Sequence, residues 1–227
     1  MKMAQTENLI IIPTYWRAEE PDINNDAVTY DHPTPLNTEG TLARCIESLN
    51  TIKGHDFDVL IVAGAGSPDI QEEMTRKTRA IVKEVRRELS GNVYLFNSGA
   101  LDICTEIMKE LPHAGNGFLE VEGYSNIRNT TLILSSIIGA ERVIMVDDDE
   151  YITDPNFLDK IVKTLGSRIH GKTVDGLAGH YLNPDGTWQT NKRDEPWATF
   201  WPINDYINKT YEMLLEGNDL PELVETP

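Results

Sequence analysis

Short uninterrupted apolar runs, separated by stretches of helical period, constrain this chain more than any other feature. Residues 9–12 form one run, closed by Pro13, and residues 59–63 form another, closed by Gly64, Ala65 and Gly66. Residues 93–96 and 142–146 repeat the pattern, and residues 176–181 supply a further candidate. Apolar runs of this length without alternation predict strands buried on both faces. Between them, Leu42, Cys45, Ile46 and Leu49 share one helical face. So do Met74, Ile81, Val85 and Leu89, and then Phe157, Leu158, Ile161, Val162 and Leu165. Ser67 before Pro68, and Asp154 before Pro155, set a capping side chain ahead of a proline at the first helical position. Strands alternating with helices predict βαβ units. The expected fold is α/β, a mostly parallel central sheet flanked by helices, with its ligand crevice at the carboxyl ends of the strands.

Composition narrows the partners. The 20 Lys and Arg against 37 Asp and Glu give a net charge of −17, which repels nucleic-acid backbones and anionic lipid alike. A phosphate-bearing ligand must therefore be held locally. No apolar run approaches the ~20 residues of a membrane-spanning helix, so no integral membrane segment is expected. Residues 1–8 are polar and lack the pattern of a secretory signal, so the expected location is cytoplasmic. Cys45 and Cys104 both sit in apolar helical patterns, as small buried hydrophobes rather than a disulfide. At 227 residues the chain suits one large domain or two small ones, and is long enough for a substantial core.

The strongest chemical signal is Asp147, Asp148, Asp149 and Glu150, directly after the apolar run of residues 142–146. Successive carboxylates repel one another, and a hard divalent cation, Mg²⁺ or Mn²⁺, relieves that repulsion while bridging to a diphosphate. The alternative is a solvated acidic turn leading into the next helix. Position favours a site, because an open α/β sheet binds ligands at the end of a central strand, where this run is expected to lie.

Two further segments could contact a nucleotide. In residues 123–129 (GYSNIRN), Gly123 permits a sharp turn and Ser125 or Asn126 could cap a helix. Arg128 then falls in its first turn, where backbone N–H groups and a guanidinium both favour an anion, although a surface ion pair is the other reading. In residues 13–17, Pro13, Thr14, Tyr15, Trp16 and Arg17 set aromatic rings beside a hydroxyl and a guanidinium. That combination suits a nucleobase and its sugar, or else a proline turn with rim aromatics.

From about residue 8 to residue 154 these segments resemble the family 2 glycosyltransferases, with their nucleotide-sugar-binding GT-A fold. Residues 9–17 (LIIIPTYWR) look like that family's first strand and nucleotide-binding loop, and residues 42–49 (LARCIESL) like its first helix. Residues 123–129, an apolar helix, Gly139 and Ala140, a strand and then the aspartates follow the family's order toward its Asp-x-Asp motif. The resemblance implies a GT-A domain over residues 1–227, with residues 1–154 binding the nucleotide sugar and residues 155–227 forming a partial acceptor side. It implies Mn²⁺ or Mg²⁺ on Asp147 and Asp149, with Asp149 the direct ligand and Asp147 nearer the ribose and sugar. It also implies a nucleotide-diphosphate sugar donor, UDP- or GDP-linked, contacted by Pro13, Thr14, Tyr15, Arg17, Gly64, Arg128, Asp147 and Asp148, and a saccharide or other hydroxyl acceptor. Two departures stand out. Residues 63–69 (AGAGSPD) replace the family's Asp-rich turn, and residues 17–38 intervene before the first helix.

An inverting transfer needs a carboxylate base. The resemblance implies that it lies downstream of the motif, where Asp194, Glu195 and Asp205 are available either for that role or as solvated surface carboxylates. Trp188, Trp197, Phe200 and Trp201 suit either a sugar platform or a core. His180 could complete a metal shell or be structural. A nucleotidyltransferase would also use metal and aspartates, but residues 13–17 contain no glycine to cradle a triphosphate. A non-catalytic nucleotide-binding module is the third alternative.

Overall fold

A computed structural model describes residues 6–19, 30, 32–109, 119–169 and 171–179. The chain divides into two compact units, residues 1–152 and residues 153–227. In the first, β1 (Asn8–Arg17) is followed by β2 (Thr34–Pro35), α1 (Leu42–Ser48), β3 (Asp58–Ala65) and α2 (Gln71–Val85). Then come β4 (Val93–Phe96), α3 (Ser98–Lys109), α4 (Tyr124–Ile138) and β5 (Arg142–Met145). The second unit contributes α5 (Phe157–Thr164) and a small antiparallel pair, β6 (Arg168–Ile169) with β7 (Lys172–Thr173).

Every pairing in the five-stranded sheet is parallel. β3 lies along one side of β1, with Leu9 opposite Asp58 and Trp16 opposite Ala65, and β4 lies beyond it. The other side of β1 is shared. β5 pairs with residues 8–11 and β2 with residues 16–17, leaving residues 12–15 between them without a strand on that side among the described residues. Leu9, Ile10, Ile11 and Ile12 are all fully buried, so both faces of β1 are covered. Each such side chain stabilises the fold by about 1.5–3 kcal/mol relative to exposure. Leu9, Ile11, Leu60 and Val62 pack with Ile127 and Leu134 of α4, while α2 packs on β3 and α1 on α2.

Several sequence expectations change here. β1 does not stop at Pro13. Ile11 accepts the Val146 N–H at 3.0 Å and Arg17 accepts the Leu36 N–H at 3.0 Å, whereas Trp16 accepts from Gly66 on the β3 side at 2.8 Å. Backbone groups alternate sides along a strand, so the N–H that Pro13 lacks would have faced the space between β5 and β2, and no ladder bond is lost. β3 likewise runs through Gly64 to Ala65. A Cβ on Gly64 would lie 2.3 Å from Ile127 Cδ1 and 2.9 Å from the Val121 carbonyl, so glycine is demanded by close packing and not by a turn.

β5 is an edge and not a central strand among the described residues, with Val143 37% and Met145 36% exposed. The buried face of α2 uses Val82 in place of Ile81, alongside Met74, Thr78 and Val85, and Leu89 lies beyond the helix. Ser67 precedes a short 3₁₀ turn and makes no side-chain cap, while Asp154 Oδ1 accepts the Asn156 N–H at 2.8 Å one residue before α5. Residues 176–179 form no strand. Tyr181, His180, Trp188, Asp194, Glu195, Trp197, Phe200, Trp201 and Asp205 lie outside the described residues, as do residues 20–29 and 31 of the 17–38 segment.

Candidate functional site

Chain order and strand order together locate the crevice. From β1 the chain steps outward to β3 and β4, then returns to the opposite side of β1 as β5. The reversal makes the carboxyl ends of β1 and β5 the topological switch point, where open α/β sheets bind ligands. Residues 147–150 leave β5 at that place, beside residues 13–15 of β1.

The acidic loop is a tight turn. The Glu150 N–H donates to the Asp147 carbonyl at 3.0 Å, and the Asp147 N–H donates to Glu150 Oε2 at 3.1 Å. Three polar groups on α1 hold it in place. Arg44 Nη2 donates to the Asp149 carbonyl at 3.1 Å, Cys45 Sγ to the Asp147 carbonyl at 3.6 Å, and Ser48 Oγ accepts the Ile152 N–H at 2.9 Å. From β1, Thr14 Oγ1 donates to Asp148 Oδ2 at 2.5 Å. Thr14 is fully buried. Burial raises the Asp148 carboxyl to about 6, helped by the charges of Asp149 and Asp147 and opposed by the Thr14 hydroxyl. Burial also raises Glu150, against the stabilising Asp147 N–H. Asp149 remains exposed.

α4 supplies the basic side of the crevice. Gly123 precedes the helix at φ +85°, a conformation that suits glycine, and the helix starts at Tyr124. Ser125 and Asn126 therefore lie inside the helix and do not cap it, and Arg128 sits beyond the first turn. Its contribution is its side chain and not the helix N-terminus. Arg128 Nη2 meets Asp147 Oδ1 at 2.5 Å and the Tyr124 hydroxyl at 3.0 Å, while Nη1 contacts Met145 Sδ at 2.8 Å. Its Nε is buried and has no hydrogen-bond partner among the described residues. Burial alone would lower the Arg128 pKa, but Asp147, Tyr15 and Tyr124 outweigh it and raise the value, so the guanidinium stays charged.

The aromatic residues are arranged differently from a rim. Tyr15 is buried and stacks on Tyr30 at 4.7 Å and on Tyr124 at 5.7 Å between ring centroids. Burial pushes its phenol up to about 12, against the pull of the Arg128 charge. Tyr124, 44% exposed, is the open end of this row. Trp16 is fully buried under Lys77, whose Nζ lies 4.9 Å from its ring. Arg17 folds back so that Nη1 donates to the carbonyls of Ala18 and Glu19 at 3.0 and 3.1 Å.

The structure thus brings Thr14, Tyr15, Arg128, Asp147, Asp148 and Asp149 to one crevice, and Gly64 to the packing beneath it. Sequence reasoning missed the support given by Arg44, Cys45 and Ser48. Only the i, i+1, i+4 spacing of three polar side chains on an otherwise buried helix could have signalled it. Tyr30 was also missed; its hydroxyl accepts the Gly123 N–H at 3.0 Å and donates to the Ala65 carbonyl at 3.2 Å.

Among the described residues, no group of three or more His, Cys, Asp or Glu side chains is placed to hold a metal. Asp149 and Asp147 are hard oxygen donors all the same. Mg²⁺ and Mn²⁺ commonly take one or two carboxylates and complete their shells with water and substrate phosphate, so the donor set fits such an ion. Fold and site together define an open, parallel α/β sheet with an acidic crevice at its switch point. No family model, curated protein or solved structure matches the chain. No helix among the described residues is long and apolar enough to cross a membrane.

Proposed function

We propose that this chain is a glycosyltransferase of GT-A type that moves a sugar from a nucleotide-diphosphate donor to an acceptor hydroxyl. The observation that carries the reading is the Asp147–Glu150 turn at the β1/β5 switch point, faced by the guanidinium of Arg128. Carboxylates for a cation and a fixed positive charge for an anion stand within one crevice, which is what a metal-diphosphate ligand requires.

In this reading Asp149 and Asp147 would hold Mg²⁺ or Mn²⁺. When bound, that ion supplies positive charge to the diphosphate as its bond to the sugar breaks. The chain's own groups do the rest. Arg128 contributes a second positive charge, and a phosphate oxygen would give it a better-matched acceptor than the Met145 sulfur it now meets. The Thr14 hydroxyl and the α1 side chains keep the acidic turn at the strand ends, so it need not reorganise as charge develops. Tyr124 offers an exposed ring beside Arg128 for a base or sugar to lie against.

The test is a thermal-shift panel of UDP, GDP, CDP, ADP and dTDP, with and without Mn²⁺, on the full chain and on Asp149→Ala. One nucleotide should raise Tm only when Mn²⁺ is present, and the variant should lose that rise while unfolding at its usual temperature. A panel without any metal-dependent rise overturns the reading. A rise without sugar transfer or donor hydrolysis would leave a binding module, and release of pyrophosphate from a nucleoside triphosphate would mark a nucleotidyltransferase.

A further inference from the structure

Far from the acidic turn, the sheet ends at β4, whose outer side has no strand partner among the described residues. The Val59 N–H donates to the Asn92 carbonyl at 2.8 Å, so Asn92, Tyr94 and Phe96 turn their backbone groups toward β3. By alternation, Val93 and Leu95 direct theirs outward. A groove of about 360 Å³ follows this edge, with Val93, Leu95 and Ile103 as its apolar lining and Arg79, Lys83 and Arg86 of α2 and its C-cap along one wall. None of these three cations pairs with a carboxylate among the described residues, although the chain carries 37 acidic side chains. Open backbone groups, an apolar lining and unneutralised positive charge thus coincide at one place in a chain of net charge −17.

We propose that this edge receives an extended acidic peptide segment of a partner protein, added as a strand beside β4. Backbone hydrogen bonds to Val93 and Leu95 would set its register, and carboxylates at alternate positions would meet the cations of α2. The spacing agrees. Along the helix, Arg79 and Lys83 are about 6 Å apart, close to the ~6.6 Å between same-face side chains of a strand. The edge of a second copy is a poor occupant, because it would set three more cations against these three. A small anion would satisfy the cations but leave the strand edge and apolar lining unused.

The probe is a blocked synthetic hexapeptide alternating Glu and Val, followed by fluorescence anisotropy against the full chain. Saturable binding is expected. It should weaken roughly tenfold or more in high salt and in the Arg79→Ala, Lys83→Ala, Arg86→Ala triple variant. An N-methylated peptide of the same charge, unable to donate edge hydrogen bonds, should lose at least as much. The triple variant alters exposed side chains and should keep the parent Tm; if it unfolds, the salt series and the N-methylated peptide still decide. Absence of saturable binding overturns the proposal, and so does equal affinity for the N-methylated peptide, which would mark a site for anions alone. Self-association that depends on the same three cations would assign the edge to a second copy and would also overturn it.

Discussion

Arg128 Nη2 stands 2.5 Å from Asp147 Oδ1, joining α4 to the first residue of the acidic turn across the mouth of the crevice. The pair is partly open, with 24% and 49% of the two side chains exposed, so water screens it and its contribution to stability is small. Its weight falls on ligand binding, since the same guanidinium faces any anion that enters.

Arg128→Ala is therefore expected to leave Tm nearly unchanged and to weaken binding of the preferred nucleoside diphosphate. Loss of one charge-assisted contact corresponds to about 1.5–3 kcal/mol, or roughly tenfold to a hundredfold in Kd. Arg128→Lys should restore only part of this, because one ammonium cannot reproduce the planar fork that meets Asp147, Tyr124 and Met145 together. Isothermal titration of the three proteins in Mn²⁺ checks the order.

Asp148 gives a pH-dependent expectation in the absence of metal. Its folded pKa, about 6, lies above its ordinary value of 3.8, chiefly through burial. A carboxyl raised in this way binds its proton more tightly in the folded state, so stability falls as pH rises from about 4 through 6. Asp148→Asn removes that penalty. With chelator present it should gain up to about 3 kcal/mol at pH 8, and the gain should shrink steadily as pH falls toward 4. Urea unfolding across that range reads it directly, and a gain independent of pH would mean that the carboxyl is not the cause.

Gly64→Ala should destabilise by about 1–3 kcal/mol, the usual range for overpacking a filled core. The added carbon would lie 2.3 Å from Ile127 Cδ1 and 2.9 Å from the Val121 carbonyl. Ile127→Val removes the first of these contacts and should recover part of the loss in the double variant. A double-mutant cycle in denaturant measures the coupling; strict additivity would mean that the two residues do not meet.

Lys77 fastens the segment after β2 by donating from Nζ to the Leu36 carbonyl at 2.6 Å and to the Thr38 carbonyl. Burial lowers its pKa, against the opposing charges of Glu73 and Glu39. Lys77→Met keeps the stem over Trp16 but removes the donor. It should speed limited proteolysis within residues 34–40 several-fold while changing Tm little, because local opening need not pass through global unfolding.

β1, β3, β4 and β5 were legible in the sequence because they are continuous apolar runs, and the helices because they carry buried stripes; β2, the two residues Thr34–Pro35, has no such run and was not. Leu42, Cys45, Ile46 and Leu49 lie together in the core as their spacing requires. Strand ends were not legible. Pro13 and Gly64 are ordinary terminators, yet one stands opposite a space without a ladder and the other opposite a crowding helix, and only tertiary contacts reveal either. The acidic turn and Arg128 were legible as charged groups after a strand and within a helical segment. Their pairing was not, since it depends on α4 and β5 meeting across nineteen residues of sequence. Tyr15 read as a rim aromatic because nothing local announces that Tyr30 and Tyr124 stack on it.

The division of one side of β1 between β5 and β2 reaches beyond geometry. Amides of Ile12 and Thr14 point into the β3 ladder, while that of Tyr15 points toward the unshared stretch. Neighbouring positions on a single strand should then take up deuterium at very different speeds. The slowing of Tyr15 alone would report an occupant of the crevice without any label attached to it.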